Sequence, residues 1–218
     1  VTGTHNVLEA CRKSDTPLGL VGTCMIYDMA GSSDGIDETH PVKPASPYAG
    51  TKLAAENLAE SYYHGYDLPV TILRPFNTYG PYQKTSMAGG VVSIFTSRDI
   101  NDEPLKIFGD GTQTRDLLYV TDCARFIVEA TFSEETTGGV INAGTGSDIS
   151  INDLAELIAT EGSEIKHVEH HPPQSEVQKL LCNPYKAEEL LGWEPEVSLE
   201  EGVARLRTWL QEQSKDND

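Results

Sequence analysis

The chain has 218 residues, of which 34 are acidic and 16 basic, giving a formal net charge of −18 at pH 7. This charge excludes nucleic acid and anionic membranes as expected partners, because both would be repelled. No apolar run approaches the roughly 18 residues of a membrane span, and the four cysteines lack metal-site spacing, which predicts a cytoplasmic protein with reduced thiols. The acids are spread along the chain, so we interpret them as adaptation to high salt (a halophilic protein) rather than as one acidic binding face.

The predicted elements alternate between helices and short apolar strands. In chain order they are a helix around Val7, a strand at Leu18–Thr23, a helix from Tyr48 to about Tyr66, a strand at Pro69–Arg74, a helix at Val91–Ser97, strands at Leu105–Phe108 and Asp116–Val120, a helix through Phe132, a strand at Val140–Ala143, a helix ending near Gly162, a strand at Ile165–Val168, a helix from Asn183 to Gly192, and a helix to about Gln213. This alternation predicts an α/β architecture with a parallel sheet.

Capping residues mark several of the predicted helix starts. Ser46 followed by Pro47 is typical of an N-cap and first helical position, and Thr121 is expected to cap the helix that follows it. Ser150 and Ser198 are each followed three residues later by an acidic residue, as in a capping box.

The sharpest chemical pattern is Tyr48-Ala-Gly-Thr-Lys52 at a helix start. A spacing of four residues puts the phenol and the ammonium on one helix face. The ammonium favours the phenolate, which makes Tyr48 a candidate general base or acid. An exposed aromatic–cation pair is the alternative interpretation of this motif taken alone.

Two predicted strands end in residues that suit a ligand site. Leu20-Val-Gly-Thr23 ends in a hydroxyl residue, and the strand ending at Arg74 runs into Pro75-Phe76-Asn77. Ligands of open α/β sheets bind at the carboxyl ends of the strands. We therefore expect these two segments to approach Tyr48.

Together these motifs resemble the NAD-dependent nucleotide-sugar epimerases and dehydratases of the extended short-chain dehydrogenase/reductase family. The matching segments follow the family order along the chain: Gly3–Ala10, Glu38–Pro41, Ser46–Glu56, Arg74–Pro81, Phe108–Asp122, Leu190–Pro195 and Leu199–Gly202. The implied fold is a partial Rossmann-like, doubly wound parallel sheet with a smaller C-terminal substrate-binding lobe.

The resemblance implies NAD as cofactor and a nucleotide-diphosphate sugar as substrate. Tyr48 would exchange a proton with a sugar hydroxyl, Lys52 would hold the ribose hydroxyls, and Thr23 would hydrogen-bond the reacting oxygen. Both Tyr48 and Lys52 would contact the cofactor, with Pro75 and Phe76 lining the nicotinamide. The remaining candidates would contact substrate: Asn77 and Arg115 at the diphosphate, and Val91, Lys106 and Phe108 at the base. For those last three, ordinary packing or solvated surface is an equal alternative.

The sequence departs from the family pattern after Thr23. Dehydratases of the family place an acidic pair there, whereas this chain has Cys24 and Met25. A thiol can exchange protons but a thioether cannot, so water elimination is disfavoured and 4-epimerisation through a transient 4-keto sugar fits best. A 4,6-dehydratase is the alternative activity. No metal is expected, because His167, His170 and His171 lack an accompanying ligand pattern.

The family's Gly-rich pyrophosphate loop has no match in the sequence. We therefore expect the chain to lack about 90 residues, at about 30 residues per βαβ unit, or to need a partner to complete its sheet. Residues 1–80 and 116–146 would form the rest of the NAD-binding domain, and residues 81–115 and 147–218 the nucleotide-sugar lobe. A homodimer through the helices around Val7 and Tyr48 is expected by resemblance. A non-catalytic binding or oligomerising module is the alternative of another class.

Overall fold

A computed structural model describes residues 1–28, 34–86, 89–169 and 178–215. Within these ranges the helices are α1 (Thr2–Ser14), α2 (Pro47–Tyr66), α3 (Val91–Ile100), α4 (Val120–Phe132), α5 (Ile151–Ile158), α6 (Tyr185–Leu191) and α7 (Leu199–Lys215). The strands are β1 (Leu18–Val21), β2 (Val70–Pro75), β3 (Asn77–Tyr79), β4 (Leu105–Phe108), β5 (Thr114–Tyr119), β6 (Val140–Ala143), β7 (Asp148–Ser150), β8 (Ile165–Val168) and β9 (Lys179–Leu180). None of the helices in these ranges combines the length and apolarity that a membrane span requires.

The central sheet is parallel, with strand order β1-β2-β6. Alternate side chains of β2 enter two different cores: Ile72 packs with Leu8 of α1, and Leu73 packs with Phe126 of α4. Because successive side chains of a strand point to opposite faces, helices cover both faces of this sheet. The predicted α/β, Rossmann-like, doubly wound fold is therefore confirmed.

A second core lies under the remaining strands. β5 pairs with β3 and β9 in parallel and with β7 antiparallel, and β4 pairs with β8 in parallel. Helices α3, α5 and α7 contribute buried side chains here, among them Phe95, Leu154 and Leu206. β4 alternates between inward and outward residues, because Leu105 and Ile107 are buried while Lys106 and Phe108 are exposed.

Most predicted helix starts match the structure. The Ser46 hydroxyl accepts the N–H of Ala49 at 3.1 Å, and the Ser150 hydroxyl accepts that of Asp153 at 3.0 Å. The predicted Thr121 cap is wrong: α4 begins at Val120, immediately after Tyr119 ends β5. No loop intervenes between the strand and the helix, so Thr121 already lies inside the first turn.

Other differences come from contacts that are distant in sequence. β3 lies in a segment predicted as loop, and it forms because it pairs with β5 about 40 residues later. Helix α5 ends at Ile158 instead of near Gly162, because the N–H of Thr160 bonds to the buried carboxylate of Asp99 at 3.0 Å. The sequence did not predict the short strands β7 and β9, which also pair with β5.

Candidate active site

The candidate site is centred on the junction between β1 and α2. The Ser46 cap and Pro47 start α2 so that Tyr48 lies in its first turn, where it is 56% exposed. One turn later, the Lys52 ammonium donates to the backbone oxygen of Val21 at 2.8 Å. The predicted acid–base residue Tyr48 and its predicted partner Lys52 therefore share one helix face, at the carboxyl end of a parallel strand.

Thr23 lies two residues beyond the end of β1, after Gly22. Its backbone is extended, and its hydroxyl accepts the N–H of Met25 at 3.3 Å, which starts a short 3₁₀ turn over Cys24–Ile26. A hydroxyl that accepts one hydrogen bond can still donate its own proton. Thr23 is 7% exposed, so this donor lies at the inner wall of the site.

Cys24 points away from solvent. Its side chain is 3% exposed and packs with Tyr27 and Phe76. Burial, together with the negative charge of Asp116, raises the pKa of the Cys24 thiol to about 12. The thiol is therefore buried and a poor proton acceptor near neutral pH, which disfavours a role in proton exchange at this position.

The second strand end brings Pro75, Phe76 and Asn77 into the same region. Phe76 is 2% exposed, so it lies in the core beside Cys24, whereas Pro75 is half-buried. The Asn77 amide donates to the backbone oxygen of Asp116 at 3.1 Å. That bond ties the end of β2–β3 to β5, next to Arg115.

Arg115 lies on β5 and lines an open cleft of about 530 Å³. One guanidinium nitrogen donates to the backbone oxygen of Thr114 at 2.7 Å. Three carboxylates line the same cleft, those of Asp148, Glu196 and Glu200. A diphosphate in this cleft would meet both attraction from Arg115 and repulsion from these acids.

The three residues expected at the base lie on α3 and β4, two elements that contribute to the second core. Lys106 and Phe108 share the outward face of β4, and Phe108 is 39% exposed. Val91 begins α3 and packs partly buried against the second core. The structure therefore groups Lys106 with Phe108, and these two lie apart from the β1–α2 junction in a different sheet.

Sequence reasoning missed a buried polar network beneath the site. Arg74 is 6% exposed and binds one carboxylate oxygen of Glu56, with distances of 3.1 Å from Nε and 2.8 Å from Nη2. Its Nη1 donates to the Tyr27 hydroxyl at 2.8 Å, and that hydroxyl donates to Asn142 at 2.7 Å. Arg74 is therefore not placed to offset the charge of a substrate, because its guanidinium is engaged inside the protein. An arginine within an otherwise buried apolar strand was the available signal, since a buried charge needs a partner.

No group of three or more potential metal ligands occurs within the described ranges. His167 lies on β8, where its ring contacts the backbone oxygen of Gly109 at 3.1 Å. His170 and His171 lie outside the described residues.

The donor set at the β1–α2 junction fits the nicotinamide-ribose half of NAD. Lys52 uses one of its three N–H donors on Val21, which leaves two for vicinal ribose hydroxyls. The exposed Tyr48 phenol stands on the same face. A parallel sheet covered on both faces, with a Tyr–Lys pair at its strand ends, defines the short-chain dehydrogenase/reductase class of NAD-dependent enzymes.

Comparison with known proteins gives the family. Residues 1–206 match the family model described as GDP-mannose 4,6 dehydratase, and the chain belongs to this family of NAD-dependent nucleotide-sugar epimerases and dehydratases. A putative UDP-glucose 4-epimerase of Methanocaldococcus jannaschii is 34% identical over 99% of this chain and 70% of its own length. The chain spans about two thirds of the length of its curated relatives, 65% for the UDP-glucuronate 4-epimerase of Thermodesulfobacterium geofontis. The predicted family is confirmed.

Solved structures of similar proteins support the same family assignment. Pal from Bacillus thuringiensis is 56% identical, with a TM-score of 0.94 over 98% of this chain and 68% of that one. The UDP-glucuronic acid 4-epimerase of Bacillus cereus, solved with UDP-glucuronic acid and NAD, is 32% identical with a TM-score of 0.84 over 96% of this chain and 66% of that one. The predicted NAD dependence is thus confirmed for the family.

Proposed function

We propose that this chain supplies the proton-transfer residues and the nucleotide-sugar lobe of an NAD-dependent nucleotide-sugar 4-epimerase. One observation carries the proposal. Tyr48 is open to solvent one turn from Lys52, whose ammonium is fixed on Val21 at the strand end that leads to Thr23. This arrangement can take a proton from a sugar hydroxyl and give it back.

The proposed steps use the chain's own residues. The Tyr48 oxygen takes the proton of the C4 hydroxyl, and the Lys52 ammonium is held one helix turn away on the Val21 oxygen. The Thr23 hydroxyl donates a hydrogen bond to the same sugar oxygen. NAD, when bound, supplies the site that accepts and returns the C4 hydride. Because the proton leaves and returns at one oxygen, one acid–base residue is sufficient.

The residues after Thr23 support epimerisation over dehydration. Elimination of water from a keto-sugar needs a second group that accepts and donates protons beside the first. Here the neighbours are Cys24, which is buried and protonated, and the thioether of Met25. A 4,6-dehydratase remains the competing activity because the family model carries that description.

The test is turnover of UDP-, dTDP-, GDP- and CDP-hexoses with NAD, followed by separation of the products. We expect the C4 epimer, whereas a 4-keto-6-deoxy sugar would show dehydration instead. Tyr48→Phe should lower kcat by at least about 10²-fold, as expected when a general base is removed, with an unchanged circular dichroism spectrum. Tyr185→Phe is the matched control, because Tyr185 is an equally exposed helical tyrosine, at 62%, on α6. Retained turnover in Tyr48→Phe would refute the assignment. Absence of NAD binding by calorimetry would favour the non-catalytic module.

We also propose a homodimer formed through α1 and α2, in a salt-rich cytoplasm. The two helices pack together, and Val7 and Tyr66 on them are 48% and 59% exposed. Among the described acidic residues, the buried ones are Glu56, Asp99, Asp116 and Asp122, so the excess charge lies in the solvent-facing shell. Salt screening would relieve the repulsion between these surface carboxylates. Light scattering across a KCl series tests both, since a monomer at every concentration would contradict the dimer.

A further inference from the structure

Helix α2 reaches the end of β1 with two side chains one turn apart. Lys52 donates to the backbone oxygen of Val21 at 2.8 Å. Glu56, four residues later, places its Oε1 against Gly22, where an added Cβ would lie only 2.0 Å away. Burial raises the pKa of the Glu56 carboxyl, and Arg74 and, more weakly, the backbone N–H of Thr23 oppose that rise. Both contacts therefore fix the three residues Val21–Thr23 relative to α2.

The Glu56 carboxylate is in turn fixed by Arg74. Their side chains are 2% and 7% exposed, and two guanidinium nitrogens share the single acceptor Oε2. Oε1 is buried and has no hydrogen-bond partner of normal geometry among the described residues. One carboxylate oxygen, Oε2, thus accepts hydrogen bonds from Arg74, and the other, Oε1, lies against the backbone of Gly22, which leads to Thr23.

The Arg74 side chain joins this contact to the rest of the sheet. Its Nη1 binds the Tyr27 hydroxyl, four residues beyond Thr23, and Tyr27 binds Asn142 on β6. Asn142 donates to the backbone oxygen of Ile36 at 3.1 Å. The network Glu56–Arg74–Tyr27–Asn142 therefore connects α2, β2, β6 and both ends of the segment that carries Thr23 and Cys24.

Holding a helix on a sheet with a buried ion pair carries a large desolvation cost. Two charges lose their hydration, and apolar side chains of the same volume often hold such a position equally well. What apolar residues cannot supply is direction, because a guanidinium and a carboxylate fix each other's orientation through several hydrogen bonds.

We propose that Glu56 and Arg74 are positioning residues of the Tyr48–Lys52 site, which set the height of α2 against β1 and so the placement of Lys52 and Tyr48 relative to Thr23. The proposal rests on the proposed function of that site. An error of about 1 Å in such a placement lowers turnover by about 100-fold even where the fold is intact. Neither Glu56 nor Arg74 touches substrate in this scheme.

The experiment uses Glu56→Gln, which keeps the shape and one acceptor but removes the charge. Asp99→Asn is the matched control: Asp99 of α3 is similarly buried and pairs with Arg207 of α7 at 2.6 Å beside the second core. Both variants should lose stability. We expect Glu56→Gln alone to lower kcat at least tenfold with KM changed less than twofold, because orientation and not binding is lost. If it does not fold, Arg74→Lys, which keeps the charge but loses the planar fork, replaces it under the same criteria.

Hydrogen–deuterium exchange gives a readout that needs no cofactor or substrate. Glu56→Gln should speed exchange at residues 21–27 at least tenfold, and Asp99→Asn should not. Equal loss of kcat in the two variants, or unchanged exchange at residues 21–27, would overturn the proposal. The two proposals fail separately: turnover by Tyr48→Phe would remove the proposed function, while the exchange measurement would still decide whether Glu56 fixes the segment.

Discussion

Gly22→Ala should disturb the contact between α2 and β1 with a single methyl group. Gly22 follows β1, and its N–H bonds to the backbone oxygen of Leu73 at 2.7 Å. A Cβ at this residue would lie 2.0 Å from Glu56 Oε1, 3.1 Å from its Cδ and 3.3 Å from the oxygen of Leu73. The carboxylate cannot simply turn away, because its other oxygen is held by two nitrogens of Arg74.

The magnitude follows from the two ways in which the protein can accommodate the methyl group. Shifting the backbone against a fixed carboxylate is overpacking, which costs about 1–3 kcal/mol. Moving Glu56 away from Arg74 breaks a buried ion pair, which costs about 3–5 kcal/mol. The less costly route, or a mixture of the two, applies. We therefore expect the free energy of unfolding to fall by about 1–3 kcal/mol, the range of the less costly route.

The assay is urea unfolding followed by circular dichroism, with the slope m compared between variants. Gly65→Ala is the control, because Gly65 lies exposed in α2 and a Cβ there meets nothing within 4 Å. That variant should gain about 0.5–1 kcal/mol, as expected for glycine replaced in a helix. Wild-type stability in Gly22→Ala would show that the Glu56 carboxylate does not rest on this backbone.

Two further predictions concern buried polar groups near the site. With a pKa of about 12, the fraction of Cys24 present as thiolate is ~10⁻⁴ at pH 8 and rises only tenfold per pH unit. A thiol reagent should therefore label the partly exposed Cys11 first. Fast labelling of Cys24, located by mass spectrometry, would contradict its burial. Asp116→Asn should lower the free energy of unfolding, measured in urea, by about 1.5–3 kcal/mol. The reason is that the Asp116 carboxylate accepts hydrogen bonds from the N–H and hydroxyl of Thr145 and from the N–H groups of Gly146 and Cys182. An unchanged unfolding midpoint would argue against these bonds.

The buried and protonated state of Cys24 also bears on substrate chemistry. From the residue type alone, a thiol beside Thr23 was a possible proton carrier. Its burial against Phe76 limits access to the thiol, and burial together with the negative charge of Asp116 disfavours the thiolate, so the structure disfavours that role. Whether the residue at this position can take part in dehydration therefore depends on how it packs. The residue type alone does not show whether Cys24 is buried.

Much of the local structure could be predicted from the sequence because it depends on short-range rules. Strands β4, β6 and β8 match their predicted bounds, since each is an apolar or alternating run between turn residues. The start of α2 follows from Ser46 and Pro47. The Ser46 hydroxyl accepts a free N–H of the first turn, and Pro47 fits the first helical position because it has no N–H that would need a partner. The Tyr48–Lys52 face follows from the helix period.

The surroundings of the arginines were harder to predict from the sequence. Arg74 and Arg115 both lie on strands, yet Arg74 is buried against Glu56 and Arg115 lines an open cleft. The difference depends on which carboxylate the fold brings to each guanidinium. Glu56 lies 18 residues before Arg74, on another element.

The sequence by itself therefore determined the family, through its resemblance to the ordered motifs of that family. It also determined helix α2 and the face that carries Tyr48 and Lys52, because capping and four-residue spacing act within one element. Only the tertiary structure decided the pairing of β3 with β5, the burial of Cys24 and the network that joins Glu56, Arg74 and Asn142. The bond from Tyr27 to Asn142 spans 115 residues. Contacts of that separation are set by how the helices and strands pack, and no local pattern specifies them.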